Sequence, residues 1–253
     1  MRQLIVGDIH GCYAELCDLL DVAGLSSEDE IIAIGDIVDR GSESPRVLGF
    51  FRRQPNARSL MGNHERKHFR SFAGELQPAL SQIITRDQLG QGYGAAIEYM
   101  RGLPHRLELP GATLVHGFFE PGVPVAEQPL QVIIGTLSGD AHLRERYAQT
   151  WYELCDGEKP LIVGHHDFLR TGQALVYEDR VYGLYTFHRL IVGGRQEAIH
   201  LGAGGRQRAP LLHPNLRRHA PARLRWRPAS RRRSAPLAAR RGTPASGRFP
   251  GSG

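Results

Sequence analysis

Five short apolar runs in this 253-residue chain stop at residues able to hold a metal ion. "LIV" at 4–6 leads to Asp8 and His10, "IIAI" at 31–34 to Asp36, and "ARSLM" at 57–61 to Asn63. "TLV" at 113–115 leads to His116 and "LIV" at 161–163 to His165. Carboxylate and amide oxygens mixed with imidazole nitrogens suit borderline divalent ions such as manganese, iron or zinc. Six such ligands are too many for one catalytic ion that keeps a position open. They are about right for two ions sharing a carboxylate, a device for displacement at phosphorus.

The runs themselves read as buried strands of a parallel sheet, whose carboxyl ends are where ligands collect. Between them, Tyr13, Leu16, Leu19, Leu20 and Ala23 mark one face of a helix over 13–23. Ser42 or Ser44 offers an N-cap for a second helix, with Pro45 in its first turn and "RVLGFF" continuing it. Residues 69–105 contain helical pieces and the Gly-rich "LGQGYGAA", and are expected to form an insertion around the site. That Gly-rich stretch lacks the G-x-G-x-x-G spacing and a preceding strand, so it is not a nucleotide loop. "AHLRERYAQTWYEL" predicts a helix, while "ALVYEDRVYGL" and "HRLIVGGRQEAIHL" predict antiparallel hairpins, the second turning at Gly193-Gly194. Strands alternating with helices and followed by hairpins argue for an α/β sandwich.

Charge divides the chain at about residue 205. The segment 206–253 holds 13 of the 32 basic residues and none of the 26 acidic ones, leaving 19 basic against 26 acidic groups in 1–205. The acidic body offers no basic groove for nucleic acid. The Arg/Pro/Ala-rich tail is expected to be disordered. No apolar run approaches the roughly 18 residues that cross a bilayer, and "MRQLIVGDIH" lacks the apolar core of a signal peptide. A soluble cytoplasmic protein without a membrane partner is expected. Cys12, Cys17 and Cys155 are too few and too scattered for a disulfide framework or a Cys-rich zinc site, and read as reduced packing residues.

"GDIHG" (7–11), "GDIVDRG" (35–41), "GNHE" (62–65), "VHG" (115–117) and "VGHHD" (163–167) resemble, in order and spacing, the signature blocks of the calcineurin-like metallophosphoesterases. The match is to the phosphoprotein phosphatase branch, which includes bacterial and phage serine/threonine phosphatases, and covers about residues 1–195. The resemblance implies a four-layer α/β/β/α sandwich over 1–205, followed by the tail. It implies two divalent ions, with manganese expected and iron or zinc compatible. Asp8 and His10 would hold the first, Asp36 would bridge both, and Asn63, His116 and His165 would hold the second. His64 would be the general acid, Asp39 its orienting partner and Arg40 a phosphate contact. His166 fills a variable position of its block and is left out, and His68, His105 and His142 read as surface residues.

Within that resemblance the expected substrate is a phosphoserine or phosphothreonine protein, or a small phosphoester. The alternative within the enzymes is a dinucleoside tetraphosphate hydrolase; that related group usually shows "GDLVNRG" and "GNHD", so Asp39 and Glu65 favour the phosphatase. Met61 stands where many relatives place a second phosphate-binding Arg. Tyr185, in "GLYTFH", stands where some relatives have the Asp of "DTG"; with the composition break beyond it, this suggests a C-terminus read in a shifted frame. An alternative of another class is a non-catalytic protein that binds nucleic acid through the phosphate-seeking tail.

Overall fold

The computed structural model describes residues 1–165, 175–184 and 189–192. Its first sheet contains β1 (Gln3–Val6), β2 (Glu30–Ala33), β3 (Ala57–Ser59) and a late strand, Arg189–Val192. The order is β3-β2-β1 and then the late strand, which runs antiparallel to β1 while the other pairs are parallel. The second sheet begins with β4 (Arg106–Glu108) and β5 (Thr113–Val115), and continues with β6 (Leu161–Val163), β7 (Leu175–Tyr177) and β8 (Val181–Gly183). Its order is β4-β5-β6-β8-β7, parallel across β5, β6 and β8 and antiparallel at both edges. The late strand is β9.

Alternation along the short runs assigns the layers, because successive side chains of a strand point to opposite faces. In the first "LIV", Leu4 and Val6 pack with residues of α1 (Tyr13–Ala23), α2 (Ser44–Arg53) and a later helix bearing Ile97 and Met100. Ile5 faces the other way and meets Ile32, Leu60, Leu114 and Ile162 between the sheets. In the last "LIV", Leu161 and Val163 pack with Phe118, Val132, Ile133, Leu143 and Trp151, and Ile162 again faces inward. Both sheets are thus apolar on two faces, which is why the runs are unbroken rather than alternating. The expected four-layer α/β/β/α sandwich is the fold.

The segment expected to be an insertion is helical: α3 (Asn63–Phe72), α4 (Leu80–Leu89) and α5 (Tyr93–Arg101), with "GQG" at 90–92 a single 3₁₀ turn between the last two. Two helix boundaries differ from those expected. Glu43, not a serine, precedes α2, and the Ser44 hydroxyl accepts from the Asp39 amide at 3.2 Å, serving the loop in front of the helix. After α6 (Leu130–Ile133), α7 runs Leu137–Arg146 because Thr136 caps it, accepting from Gly139 N at 3.1 Å. A new 3₁₀ turn then starts at Trp151, where the Thr150 amide is held by Glu153, so the expected single helix is two pieces. The 175–184 hairpin is as expected. Of the second, Arg189–Val192 is β9; its turn, Tyr185, His166 and the 206–253 tail lie outside the described residues. All three cysteines are free thiols. None of the helices among the described residues is long and apolar enough to cross a membrane.

At the end of the first sheet away from the ligands, Asp29 ties the starts of β1 and β2. Its carboxylate accepts from Arg2 N at 2.6 Å, Arg2 Nη2 at 2.7 Å, Arg2 Nε at 3.0 Å and Ser26 N at 2.9 Å. Burial pushes this carboxyl up, but the Arg2 and amide donors outweigh it and hold it well below the usual range. A depressed folded-state value stabilises above the unfolded value near 4, and the contribution is lost as pH falls through the folded one. Asp29→Asn is therefore expected to cost about 1–2 kcal/mol at pH 7. In urea denaturation the gap between variant and parent should narrow as the pH is lowered below about 4.

Candidate metal centre

Every ligand named above arrives at the same edge of the sandwich. Asp8 and His10 follow β1, Asp36 follows β2, Asn63 and His64 open α3 just beyond β3, His116 follows β5 and His165 follows β6. Backbone bonds lock these loops to one another: His10 N donates to Asp36 O at 2.8 Å and Gly164 N to His116 O at 2.9 Å. The bends are steep. His10, Asp36, Asp39, Arg40 and His165 all take positive φ, between 48° and 71°, a conformation that costs a non-glycine residue about 1–3 kcal/mol and persists only where surroundings enforce it.

Asp36 is the hub. Its Oδ2 lies 3.8 Å from His10 Nε2 and 4.0 Å from His64 Nε2; its Oδ1 lies 3.4 Å from His116 Nε2 and accepts from His64 N at 3.0 Å. Donor atoms of His10, Asp36 and His64 fall within 4.8 Å of one another, as do those of Asp36, His116 and His165. Two clusters thus share one carboxylate. Asp8 joins them, with Oδ2 3.7 Å from His10 Nε2 and Oδ1 accepting from His165 N at 3.1 Å.

The donor set fits cations. His10 Nδ1–H donates to Val38 O at 3.0 Å and His116 Nδ1–H to Ile34 O at 2.9 Å, so both rings turn the Nε2 lone pair inward, the arrangement that second partners impose on ligating histidines. His10 Nε2 is buried with no hydrogen-bond partner. The inward atom of the Asn63 amide lies 3.0 and 3.1 Å from the Asp36 oxygens and 3.3 Å from His116 Nε2 and His165 Nδ1. These are acceptors, so the cluster is satisfied by an amide N–H turned inward or by a cation that the amide oxygen shares with them. Proton affinities register the same shortage of positive charge. Burial and the Asp36 charge push Asp8 up to about 7. Burial opposes charge on His116, but Asp36 prevails and raises it to about 9.

Glycines let the backbone approach these groups. A Cβ on Gly62 would stand 2.2 Å from Asp36 Oδ1 and 2.9 Å from Glu65 Oε2, so any side chain there must push the shared carboxylate aside. Gly62→Ala is expected to weaken manganese affinity roughly 10–100-fold, as loss of a ligand's support does. Calorimetric titration of the chelator-treated protein would measure it.

Beneath the ligands lies a layer of buried acids. Glu65 is wholly buried and accepts from Gly62 N and Asp36 N at 2.8 Å, Ile37 N at 2.9 Å and Val38 N at 3.3 Å. It binds the start of α3 to the loop carrying Asp36. Asp39, also wholly buried, accepts from His64 Nδ1–H at 2.6 Å and His68 Nε2 at 2.8 Å. Burial alone would raise the Asp39 carboxyl; the His64 and His68 bonds hold it well below its usual range. With Nδ1 committed to Asp39, His64 has only Nε2 to offer a ligand. Burial disfavours the charged His64 ring, but Asp36 and Asp39 more than offset it and raise its proton affinity. Arg40 is exposed at the rim, and its charge reaches His10.

The family model for calcineurin-like phosphoesterases matches residues 1–194. The chain belongs to that family. Among curated relatives of this calcineurin-like phosphoesterase is a symmetrical bis(5'-nucleosyl)-tetraphosphatase of Shewanella baltica, 32% identical over 173 residues. That alignment covers 65% of this chain, which spans 62% of the relative's length. A solved structure provisionally assigned as a diadenosine tetraphosphatase superposes with a TM-score of 0.64 at 22% identity, over 81% of this chain and 94% of the other. A serine/threonine phosphatase from Saccharomyces cerevisiae gives 0.55 at 14% identity, over 76% and 72%. Both superpositions reflect the shared fold.

One expectation for the phosphoesterase is overturned outright. His68 is wholly buried, because on α3 it lies one turn beyond His64 and therefore shares its inward face. The i, i+4 spacing was the available signal. His105 is half-buried, and half-buried His142 approaches Glu120 at 2.9 Å, so neither is a freely exposed surface group. Glu65 had a signal too, a carboxylate three residues after Gly62, the residue that caps the helix. Tyr93 had none, since its partner His68 is 25 residues away, and Ser44, read as a cap candidate, instead serves the Asp39 amide five residues before it.

Proposed function

We propose that this chain is a two-metal phosphoester hydrolase acting on dinucleoside tetraphosphates by symmetrical cleavage. The observation that carries the hydrolase assignment is the Asp36 carboxylate, which belongs to both clusters of donors and faces one with each of its oxygens. Asp8 and His10 would hold one ion, Asn63, His116 and His165 the other, and Asp36 would serve both. Manganese is the metal proposed; iron and zinc also suit this donor set. When bound, such a pair supplies an activated water and neutralises charge at phosphorus.

The chain's own groups do the rest. His64, its Nδ1–H fixed on Asp39, holds a proton at Nε2 and gives it to the leaving oxygen. Arg40 offers the planar fork of donors that suits phosphate oxygens. The hydrolase is assigned to residues 1–205, and the Arg-rich segment from 206 is given no part in it.

The tetraphosphate substrate is supported by relatives such as the Shewanella baltica protein, which is named for that activity. It replaces the phosphoprotein substrate expected from Asp39 and Glu65. Both side chains are spent beneath the site, on two imidazoles and on four backbone amides. Neither faces solvent, so their identity does not discriminate between leaving groups.

The test uses the full chain with manganese, offered diadenosine tetraphosphate and a phosphothreonine peptide, with nucleotide products separated by ion exchange. Two molecules of ADP per dinucleotide, formed in preference to phosphate release from the peptide, are expected. ATP with AMP, or preference for the peptide, would overturn the assignment.

A further inference from the structure

The Asp39 carboxylate does not end at His64. Its second oxygen, Oδ1, accepts from His68 Nε2–H at 2.8 Å, and His68 Nδ1 meets the Tyr93 hydroxyl of α5 at 3.0 Å. His68 and Asp39 are wholly buried. The rings of His68 and Tyr93 meet edge to face, their centroids 5.7 Å apart. The chain Tyr93, His68, Asp39, His64 thus runs from the helical insertion to the edge of the metal centre. The two inner members, His68 and Asp39, are bonded on both sides, and at the far end His64 Nε2 is left over.

We propose that His68, held by Tyr93, is a positioning residue for His64. The inference rests on His64 being the general acid. A carboxylate with a donor on one oxygen only can turn about its Cβ–Cγ bond; one held at both oxygens has a single plane. The 2.6 Å bond from His64 Nδ1 follows that plane, and with it the direction of His64 Nε2. His68 touches no substrate and no ion in this scheme. Its loss acts where the proton on Nε2 is delivered, so the penalty grows with the basicity of the leaving oxygen. General acid catalysis contributes about 10²–10⁴-fold when the group is well placed.

The experiment measures kcat and KM of the full, manganese-loaded chain on aryl phosphates whose leaving groups run from dinitrophenol to phenol. The variants are His64→Asn, His68→Leu, His68→Gln and Tyr93→Phe. His64→Asn should steepen the dependence of kcat on leaving-group basicity. His68→Leu should steepen it in the same sense, with a loss of about tenfold for phenyl phosphate, little for the dinitrophenyl ester, and KM unchanged. His68→Gln, whose amide can replace the Nε2 donor, should recover most of the loss. If His68→Leu does not fold, Tyr93→Phe carries the test, with a smaller steepening expected. An equal loss on every ester, or none, in a folded His68 or Tyr93 variant would overturn the inference while leaving His64 in place. A flat profile for His64→Asn would refute the general acid itself, and the role of His68 with it.

Discussion

Asp36→Asn is expected to abolish metal-dependent hydrolysis, lowering kcat by about a thousandfold or more, the scale at which a central charge-stabilising group acts, without unfolding the protein. The substitution keeps the shape of the side chain and removes its charge at the one point where both donor clusters meet. Stability in chelator should fall only modestly. The Asp36 charge helps push Asp8 up to about 7, an opposition its removal relieves, but burial of Asp36 itself is more than offset by His116 and His64, which hold its carboxyl well below the usual range, and that support is lost. Thermal unfolding in chelator should therefore show a slightly lower midpoint than the parent's, whereas with manganese the gap should widen, because an ion bound only by the folded state stabilises it.

His64→Asn is the second large effect, a loss of about a hundredfold in kcat with the metal content unchanged. The geometry makes this informative, because His64 Nε2 lies 4.0 Å from Asp36 Oδ2, within one of the two donor clusters. A ligand and a general acid at that position differ in what their removal does. With Nδ1 bonded to Asp39 at 2.6 Å, the imidazole is held as an Nδ1–H donor, as the Asp of a catalytic triad holds its His. Loss of the acid should spare both ions and leave KM little changed. Loss of a ligand would lower manganese stoichiometry or affinity before anything else.

Much of this was legible along the chain because a parallel strand buried on both faces is an unbroken apolar run, and its end is a place for polar residues. Asp8, His10, Asp36, Asn63, His116 and His165 all stand at such ends, and the structure gathers them. The runs argued for an α/β sandwich and the resemblance implied its four layers; the structure accounts for them by packing Leu4 and Val6 on one face of β1 and Ile5 on the other. What was not legible lies one shell deeper. Asp39 was named only through the family resemblance; the reach of Glu65 to the Asp36 loop, 29 residues away, goes beyond what its place at the start of α3 announces, and Tyr93 comes from a helix whose docking no local pattern specifies. His68 was readable from its spacing to His64, but an isolated histidine on a charged helix, "NHERKHFR", reads as solvated until the buried face of that helix is known. The phosphoprotein expectation rested on the identities of Asp39 and Glu65 within their motifs, and both are buried beneath the site, so the substrate proposed is drawn from the relatives instead.

The central claim is that Asp36 joins two ions in one hydrolytic centre. The most direct test strips the full chain with chelator and titrates it with manganese, following bound metal by calorimetry and hydrolysis of diadenosine tetraphosphate in the same samples. Two ions per chain are expected, with turnover appearing only as the second binds, and neither full occupancy nor turnover in Asp36→Asn. Turnover that persists in chelator, or full activity at one ion per chain, would contradict it.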